Sequence, residues 1–256
     1  MFFSLKNKIA FITGGCSGIG LAIAKRYTEA GAKVIIADRQ EGKAIGEEIG
    51  AIYYKMDVTN EQQVLEVMER VDKEVGKLDI LVNNAGIGDL PGPIVDAATK
   101  NWRRIFEVNV FGVLYGIKYG APIINKGGVI INTASQAAFT KIGGMEPYSA
   151  SKAAVVSITQ TAALELAERQ IRVNAVCPSN TKTPMMKASE DAAISEKLSQ
   201  VFSPSGKAAE VSDIMGLYHF LASDASQYIN GQSIIADGGW TAGVSNTALG
   251  AALSDL

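Results

Sequence analysis

Short apolar runs alternate with helical periodicity along almost the whole chain. Lys8–Thr13 reads as a buried strand running into glycines, and Gly18–Ala30 as a helix stopped by Gly31. Lys33–Ala37 is a second strand, Glu41–Ile49 a helix closed by Gly50, and Ile52–Met56 a third strand. Asn60 caps a helix running to Val75, with Gly76 just after it, and Asp79–Val82 is a fourth strand. Thr99 is expected to cap one long helix reaching Ile124, followed by a fifth strand at Val129–Asn132. Pro147 opens a helix to Arg169, Arg172–Val176 is a sixth strand, Glu210–Ala222 a further helix, and Ser233–Ile235 a last short strand. The strands are apolar throughout rather than alternating, as burial on both faces requires. The pattern predicts an α/β fold: a doubly wound parallel sheet of about seven strands flanked by helices. No linker rich in Pro, Ser or Gly divides residues 1–256, so a single domain is expected.

Two segments depart from the alternation. Residues Pro184–Pro204 form a polar, methionine-containing insertion after the sixth strand. In such a sheet this position lies above the carboxyl ends of the strands, where ligands bind. The insertion is expected to move and to close over bound substrate. The tail from Trp240 to Leu256 is small and apolar, which implies burial against a neighbouring subunit.

Composition narrows the chemistry. With a net charge of −2 and 20% charged residues, the chain has no strong field to draw nucleic acid or acidic membrane. The amino terminus does not read as a secretory signal, and no apolar run approaches membrane-spanning length. Cys16 and Cys177 follow no metal-ligand spacing. A soluble cytoplasmic protein without a metal is expected. The single histidine, His219, lies in an apolar helical run and is expected to be a packed side chain. No Gly-x-Ser-x-Gly elbow accompanies it, which argues against a serine hydrolase.

The first strand runs into Thr13-Gly14-Gly15-Cys16-Ser17-Gly18-Ile19-Gly20. Gly14 permits the tight turn, Gly18 lets backbone approach a diphosphate, and Gly20 lets the helix pack closely on the sheet. The helix amino terminus then faces the negative charge. Asp38, ending the second strand, stands where a carboxylate meets the adenosine ribose and repels a 2′-phosphate. Arg39 beside it could pair with that phosphate, but the glycine loop has no second basic anchor. NAD is expected over NADP.

These features extend into a family pattern. Asn83-Asn84-Ala85-Gly86 follows the fourth strand, and Asp57-Val58 the third. Asn109 lies in Asn109-Val110-Phe111-Gly112, and Ser135 ends the fifth strand. Tyr148-Ser149-Ala150-Ser151-Lys152 gives Tyr-x-x-x-Lys, and Pro178 to Thr183 closes the series. From Lys6 to Gly239 the chain resembles the classical short-chain dehydrogenase/reductase family, which implies a Rossmann-type fold. The resemblance assigns the dinucleotide to Gly14, Ser17, Gly18, Ile19, Gly20, Asp38, Arg39, Asp57, Val58, Asn84, Ala85, Gly86, Tyr148, Lys152, Pro178, Thr181 and Thr183. It assigns catalysis to Asn109, Ser135, Tyr148 and Lys152, with Asn109 anchoring a water of a proton relay. Two positions depart from the pattern: Ser179 replaces a usual glycine, and Thr133-Ala134-Ser135 replaces a usual Ser-Ser ending.

The chemistry follows from residue type. Spacing of four puts Tyr148 and Lys152 on one helix face. A free tyrosine, with a pKa of about 10, is a poor base at neutral pH. An ammonium and a cationic nicotinamide nearby both favour its phenolate. Such a tyrosine takes a proton from an alcohol, or returns it to a developing alkoxide. Ser135 would bond the substrate oxygen, and Lys152 the nicotinamide ribose. The expectation is a secondary alcohol interconverted with its ketone. Phe139, Met145, Met185 and Met186, with Ser135 and Tyr148, are expected to line an adaptable apolar substrate pocket. Two alternatives stand beside it: a non-catalytic dinucleotide sensor or scaffold, and an NADPH-dependent 3-oxoacyl-carrier reductase. Apolar surface on the long helices predicts a homotetramer.

Overall fold

A computed structural model describes residues 3–88, 92–187 and 192–253. In chain order it contains β1 (Ile9–Thr13), α1 (Gly18–Glu29), β2 (Lys33–Asp38), α2 (Lys43–Ile49), β3 (Ile52–Lys55), α3 (Glu61–Glu74) and β4 (Leu78–Asn83). There follow α4 (Thr99–Phe106), α5 (Gly112–Gly120), β5 (Ile124–Thr133), α6 (Glu146–Glu165), β6 (Arg172–Pro178), α7 (Pro184–Lys187), α8 (Ala192–Phe202), α9 (Val211–Ala222), β7 (Ser233–Ala236) and α10 (Asn246–Leu253). The seven strands form one sheet in the order β3-β2-β1-β4-β5-β6-β7, every neighbouring pair parallel. β1, β2 and β4 are buried on both faces, as their unbroken apolar sequences require.

Chain direction across the sheet reverses between β1 and β4. In sheets of this topology that reversal opens a crevice above the strand ends, bordered by the loops that follow β1 and β4. The glycine loop and Asn84-Ala85-Gly86 occupy those two loops. α1 and α9 pack together on one face, where Tyr27, Tyr218, Ile23 and Leu221 are fully buried. His219 is a packed residue: Arg26 Nε donates to its Nδ1 at 3.0 Å, and its Nε2 meets the Phe3 carbonyl at 2.7 Å. A carbonyl only accepts, so Nε2 carries the proton.

Several sequence expectations are corrected here. The single helix from Thr99 to Ile124 is interrupted: a π-helical turn at Glu107–Phe111 separates α4 from α5, and a 3-10 turn containing Pro122 ends α5. Ala98, not Thr99, is the cap of α4. β5 begins at Ile124 and runs ten residues, because its first part pairs with β4 through a register irregularity that periodicity does not reveal. Glu210 caps α9 through a reciprocal capping box with Asp213 rather than beginning the helix. The expected loop at 184–204 contains two helices. The tail adds a third, α10, which packs on α8 of the same chain. Residues 188–191 and 254–256, parts of the expected insertion and tail, lie outside the described residues.

Candidate active site

The glycine loop meets its steric expectations in different ways. Gly14 has φ +66°, a conformation that favours glycine. A Cβ on Gly20 would sit 2.0 Å from the Gly14 carbonyl oxygen, so only glycine lets α1 begin so close to the strand end. Gly18 instead lies close to Thr183: a Cβ there would be 3.5 Å from the threonine side chain. The glycine loop and the segment after β6 are thus brought together from distant parts of the sequence.

Thr13, which the sequence reading did not single out, ties the loops together. Its hydroxyl accepts from the Asn84 and Ala85 amides, both at 3.0 Å. Asn84 Nδ2 donates to the Thr13 and Gly14 carbonyls at 3.1 and 3.4 Å. A threonine ending a strand just before a glycine loop was the available signal. Asp38 is buried. Its carboxylate accepts from the Cys16 amide at 3.1 Å and the Gln40 amide at 3.0 Å, which fixes its orientation. Arg39 is exposed, and among the described residues it forms no ion pair. Asp57 closes its own turn, accepting from the amide and hydroxyl of Thr59, while Val58 packs under Gly112. Burial, then the charge of Asp38, pushes the Cys16 thiol up to about 11, so it stays protonated.

Ser135, Tyr148 and Lys152 come together at the carboxyl end of β5. Ser135 is buried, accepts from the Ala137 amide at 3.1 Å and donates to the Pro178 carbonyl at 3.3 Å. Ser135 is near enough to the Tyr148 hydroxyl to favour its ionised form. Lys152 Nζ lies 5.7 Å from the centre of the Tyr148 ring and donates to the Thr133 carbonyl at 2.8 Å. Burial lowers the Lys152 ammonium to about 8. Burial also raises the Tyr148 phenol, outweighing the lowering by Ser135. The chain alone therefore raises the phenol, whereas the sequence expectation joined an ammonium with a cationic nicotinamide; of those two charges only Lys152 belongs to the chain.

Asn109 sits in the π-helical turn, fully buried. Its Oδ1 accepts from the Ile87 amide at 2.8 Å, and its Nδ2 donates to the Ile87 carbonyl and to Ser151 Oγ, both at 3.0 Å. The side chain therefore holds the turn after β4 against α6. A Cβ on Gly86 would lie 3.3 Å from Asn109 Oδ1 and 3.4 Å from Lys152 Nζ, so these three residues meet at one point. Thr181 is buried and bonds the Ser179 carbonyl at 2.9 Å, while Thr183 Oγ1 accepts from the Met186 amide at 3.3 Å.

The expected substrate-lining residues differ in exposure. Phe139 and Met185 are exposed at 45% and 51%, and Met145 and Met186 are half-buried. Met185 approaches the turn at Gly88. Lys141 folds back onto the Ala137 carbonyl at 2.9 Å, and Lys182 pairs with Glu210 at 2.8 Å. α8 is pinned at several points. Asn180 Nδ2 donates to the Ser195 carbonyl at 2.9 Å and to Ser199 Oγ at 3.0 Å. Phe202 stacks on Trp240 at 5.5 Å, and Ser203 Oγ donates to the Asp237 carbonyl at 3.0 Å. These contacts join α8 to the loop after β6 and to the segment after β7.

A family model described as enoyl-(acyl carrier protein) reductase matches residues 14–241, spanning all of these motifs. The chain belongs to the short-chain dehydrogenase/reductase family. It is 36% identical to 3beta-hydroxysteroid dehydrogenase 2 of Eggerthella lenta, covering 93% of this chain and 96% of that protein. It is 37% identical to a diacetyl reductase [(S)-acetoin forming] of Staphylococcus epidermidis, over 91% of this chain and 98% of the relative. Among solved structures it resembles 3-ketoacyl-(acyl-carrier-protein) reductase from Brucella melitensis complexed with NADH, with TM-score 0.86 and 35% identity over 93% of this chain and 100% of that one. This short-chain dehydrogenase/reductase is accordingly an oxidoreductase of a family that binds nicotinamide dinucleotides and acts on alcohols and ketones. Among the described residues no helix is long and apolar enough to cross a membrane.

Proposed function

We propose that this protein is an NAD-dependent dehydrogenase that interconverts a largely apolar secondary alcohol and its ketone, with Tyr148 moving the proton. The observation that carries the reading is the meeting of Ser135, Tyr148 and Lys152 at the carboxyl end of β5, beside the crevice between β1 and β4. The cradle fits a dinucleotide: a side chain on Gly20 would collide with loop backbone, and the α1 amino terminus faces the loop. Gly14, Ser17, Gly18, Ile19 and Gly20 would hold the diphosphate. Asp38 would hold the adenosine ribose, Asp57 and Val58 the adenine, and Asn84, Ala85, Gly86, Pro178, Thr181 and Thr183 the nicotinamide half. When bound, the dinucleotide supplies or accepts the hydride.

The remaining steps belong to the chain. Ser135, whose proton points to the Pro178 carbonyl in the free protein, would turn it to the substrate oxygen. In alcohol oxidation the Tyr148 oxygen takes the hydroxyl proton, and in reduction it returns that proton to the developing alkoxide. Because burial raises Tyr148, the protein alone holds it as the phenol, the form that reduction requires. Lys152 would hold the nicotinamide ribose, and Asn109 holds the turn at Ile87 against α6.

The substrate reading rests on the exposed Phe139 and Met185 and on the engagement of Lys141 and Lys182 with the protein itself. Arginine, the usual bidentate clamp for carboxylate or phosphate, is absent from the 135–148 and 178–204 segments. A cyclic alcohol or hydroxysteroid fits such a pocket, and the hydroxysteroid dehydrogenase relative supports that choice. The likeness to a ketoacyl reductase keeps an acyl substrate as the competing reading. The test is a panel of cyclic alcohols, hydroxysteroids, small diols and 3-oxoacyl thioesters, run with both NAD(H) and NADP(H) and with Tyr148→Phe alongside. The expected result is preference for NAD and for cyclic apolar substrates, and a Tyr148→Phe variant that binds NADH but turns over at least about a hundredfold more slowly. A variant keeping a tenth of the wild-type rate removes Tyr148 from the mechanism. Acyl thioesters or polyols preferred tenfold overturn the substrate reading.

A further inference from the structure

Thr133 is one of the two positions where the sequence departs from the family pattern, and its hydroxyl joins a buried chain of hydrogen bonds. The Thr133 hydroxyl meets the Tyr218 hydroxyl of α9 at 2.9 Å and lies 3.3 Å from Asn84 Oδ1. Its carbonyl, on the other side, receives Lys152 Nζ. Asn84 Nδ2 faces the Thr13 and Gly14 carbonyls. One threonine thus touches Lys152, the asparagine of the turn after β4, and a tyrosine on α9.

The direction of these bonds can be worked out. Carbonyl oxygens only accept, so Asn84 must present its amide nitrogen to Thr13 and Gly14 and its Oδ1 to Thr133. Oδ1 only accepts, so Thr133 spends its single proton on Asn84. The remaining bond must then come from Tyr218, whose hydroxyl donates to Thr133. Tyr218 has no exposed surface, and burial raises its phenol far above its ordinary value, so it remains a donor at every working pH. Its backbone carbonyl is held separately, by the Tyr27 hydroxyl at 2.9 Å. Removing the Tyr218 hydroxyl would leave the placement of α9 intact and free one bond of Thr133.

We propose that Tyr218 is a positioning residue for the dinucleotide site: its hydroxyl locks the Thr133 side chain, which in turn fixes Asn84 against the glycine loop. The inference rests on the reading of Asn84 and Lys152 as parts of that site. Losing one buried neutral donor is worth roughly 1 kcal/mol, or about a fivefold change in an equilibrium constant.

The experiment measures the NADH dissociation constant by fluorescence, the kcat and KM values and the thermal midpoint for Tyr218→Phe, Thr133→Ser, Thr133→Val and the double variant Tyr218→Phe/Thr133→Val. Tyr218→Phe is expected to weaken NADH about fivefold. Thr133→Ser keeps the hydroxyl and should bind as wild type does, whereas Thr133→Val should lose at least as much as Tyr218→Phe. In the Thr133→Val background the tyrosine substitution should change NADH binding by less than about twofold, because the node is already gone. A packing role would instead lower the midpoint by the same amount in both backgrounds and leave the dissociation constant alone. Wild-type protein that binds neither NADH nor NADPH overturns the reading of the site and this inference with it. Firm wild-type binding that Tyr218→Phe leaves within twofold, or an equal loss with and without the Thr133 hydroxyl, overturns this inference alone.

Discussion

Lys152 is the residue on which function and stability pull apart. Its ammonium is buried and lowered to about 8 from 10.5, so the unfolded chain binds that proton more tightly than the folded one. The cost of keeping it charged is full below about pH 8 and fades as pH rises toward 10.5. Stability attributable to this residue therefore increases with pH across that window. Lys152→Met removes the cost while leaving the Thr133 carbonyl without its donor. It should abolish turnover and raise the thermal midpoint at neutral pH by about 2–4 °C, with the gain shrinking at higher pH. A midpoint that falls, or a gain independent of pH, contradicts this account. Asp38 belongs to the same scale. Replacing it by serine keeps one acceptor for the Cys16 or Gln40 amide and removes the charge that would repel a 2′-phosphate. Asp38→Ser should weaken NAD at least about tenfold and improve NADP, with exposed Arg39 available to the phosphate. Dinucleotide titrations of the two proteins decide it, and unchanged preference removes Asp38 from selectivity.

Among the elements, α8 is one whose tertiary contacts composition does not reveal. It is tied through Asn180 to the loop after β6 and through Phe202 and Ser203 to the segment after β7. Asn180→Ala severs the first tie and spares the second. Amide hydrogen exchange should then speed up at the start of α8 more than at its end, and KM for substrate should rise about fivefold with a smaller change in kcat. Exchange unchanged along α8 would mean that the Asn180 bonds do not hold the helix. The π-helical turn before α5 is a second instance of an element serving a residue. It interrupts a helix the sequence predicts to be continuous, and the inserted turn aims Asn109 into the space under Gly86.

Over the whole molecule, the sheet collects residues scattered along the sequence at one edge of a crevice, while α5 and α6 carry apolar side chains to the outside. Phe111 and Leu114 on or beside α5 and Leu164 on α6 are exposed at 38%, 41% and 79%. The expected homotetramer is the arrangement that covers such faces with paired two-fold contacts. Light scattering at micromolar concentration should return about four times the chain mass, and Leu164→Glu should shift the protein toward smaller species. A wild-type monomer contradicts the proposal. The apolar tail gives weaker support than its sequence implied, since α10 packs on α8 of its own chain.

The sequence by itself determined the strand set, the parallel sheet and the candidate residues at the strand ends. Unbroken apolar runs bounded by glycine have one stable arrangement, and Tyr-x-x-x-Lys spacing places two side chains on one helix face whatever surrounds them. Periodicity could not reveal what depends on non-local contacts. The early start of β5 comes from pairing with β4, the break at Glu107–Phe111 from the bonds of Asn109 to Ile87 and Ser151, and the anchoring of α8 from Asn180 and Trp240. The direction of the Tyr148 shift was also a tertiary decision. Sequence spacing puts Lys152 one helix turn from Tyr148, but desolvation depends on every segment packed over the phenol, and here it outweighs the lowering by Ser135. Thr133 marks the same boundary: the sequence registered it as a departure from pattern, and only the packing of α9 gave its hydroxyl Tyr218 as a partner.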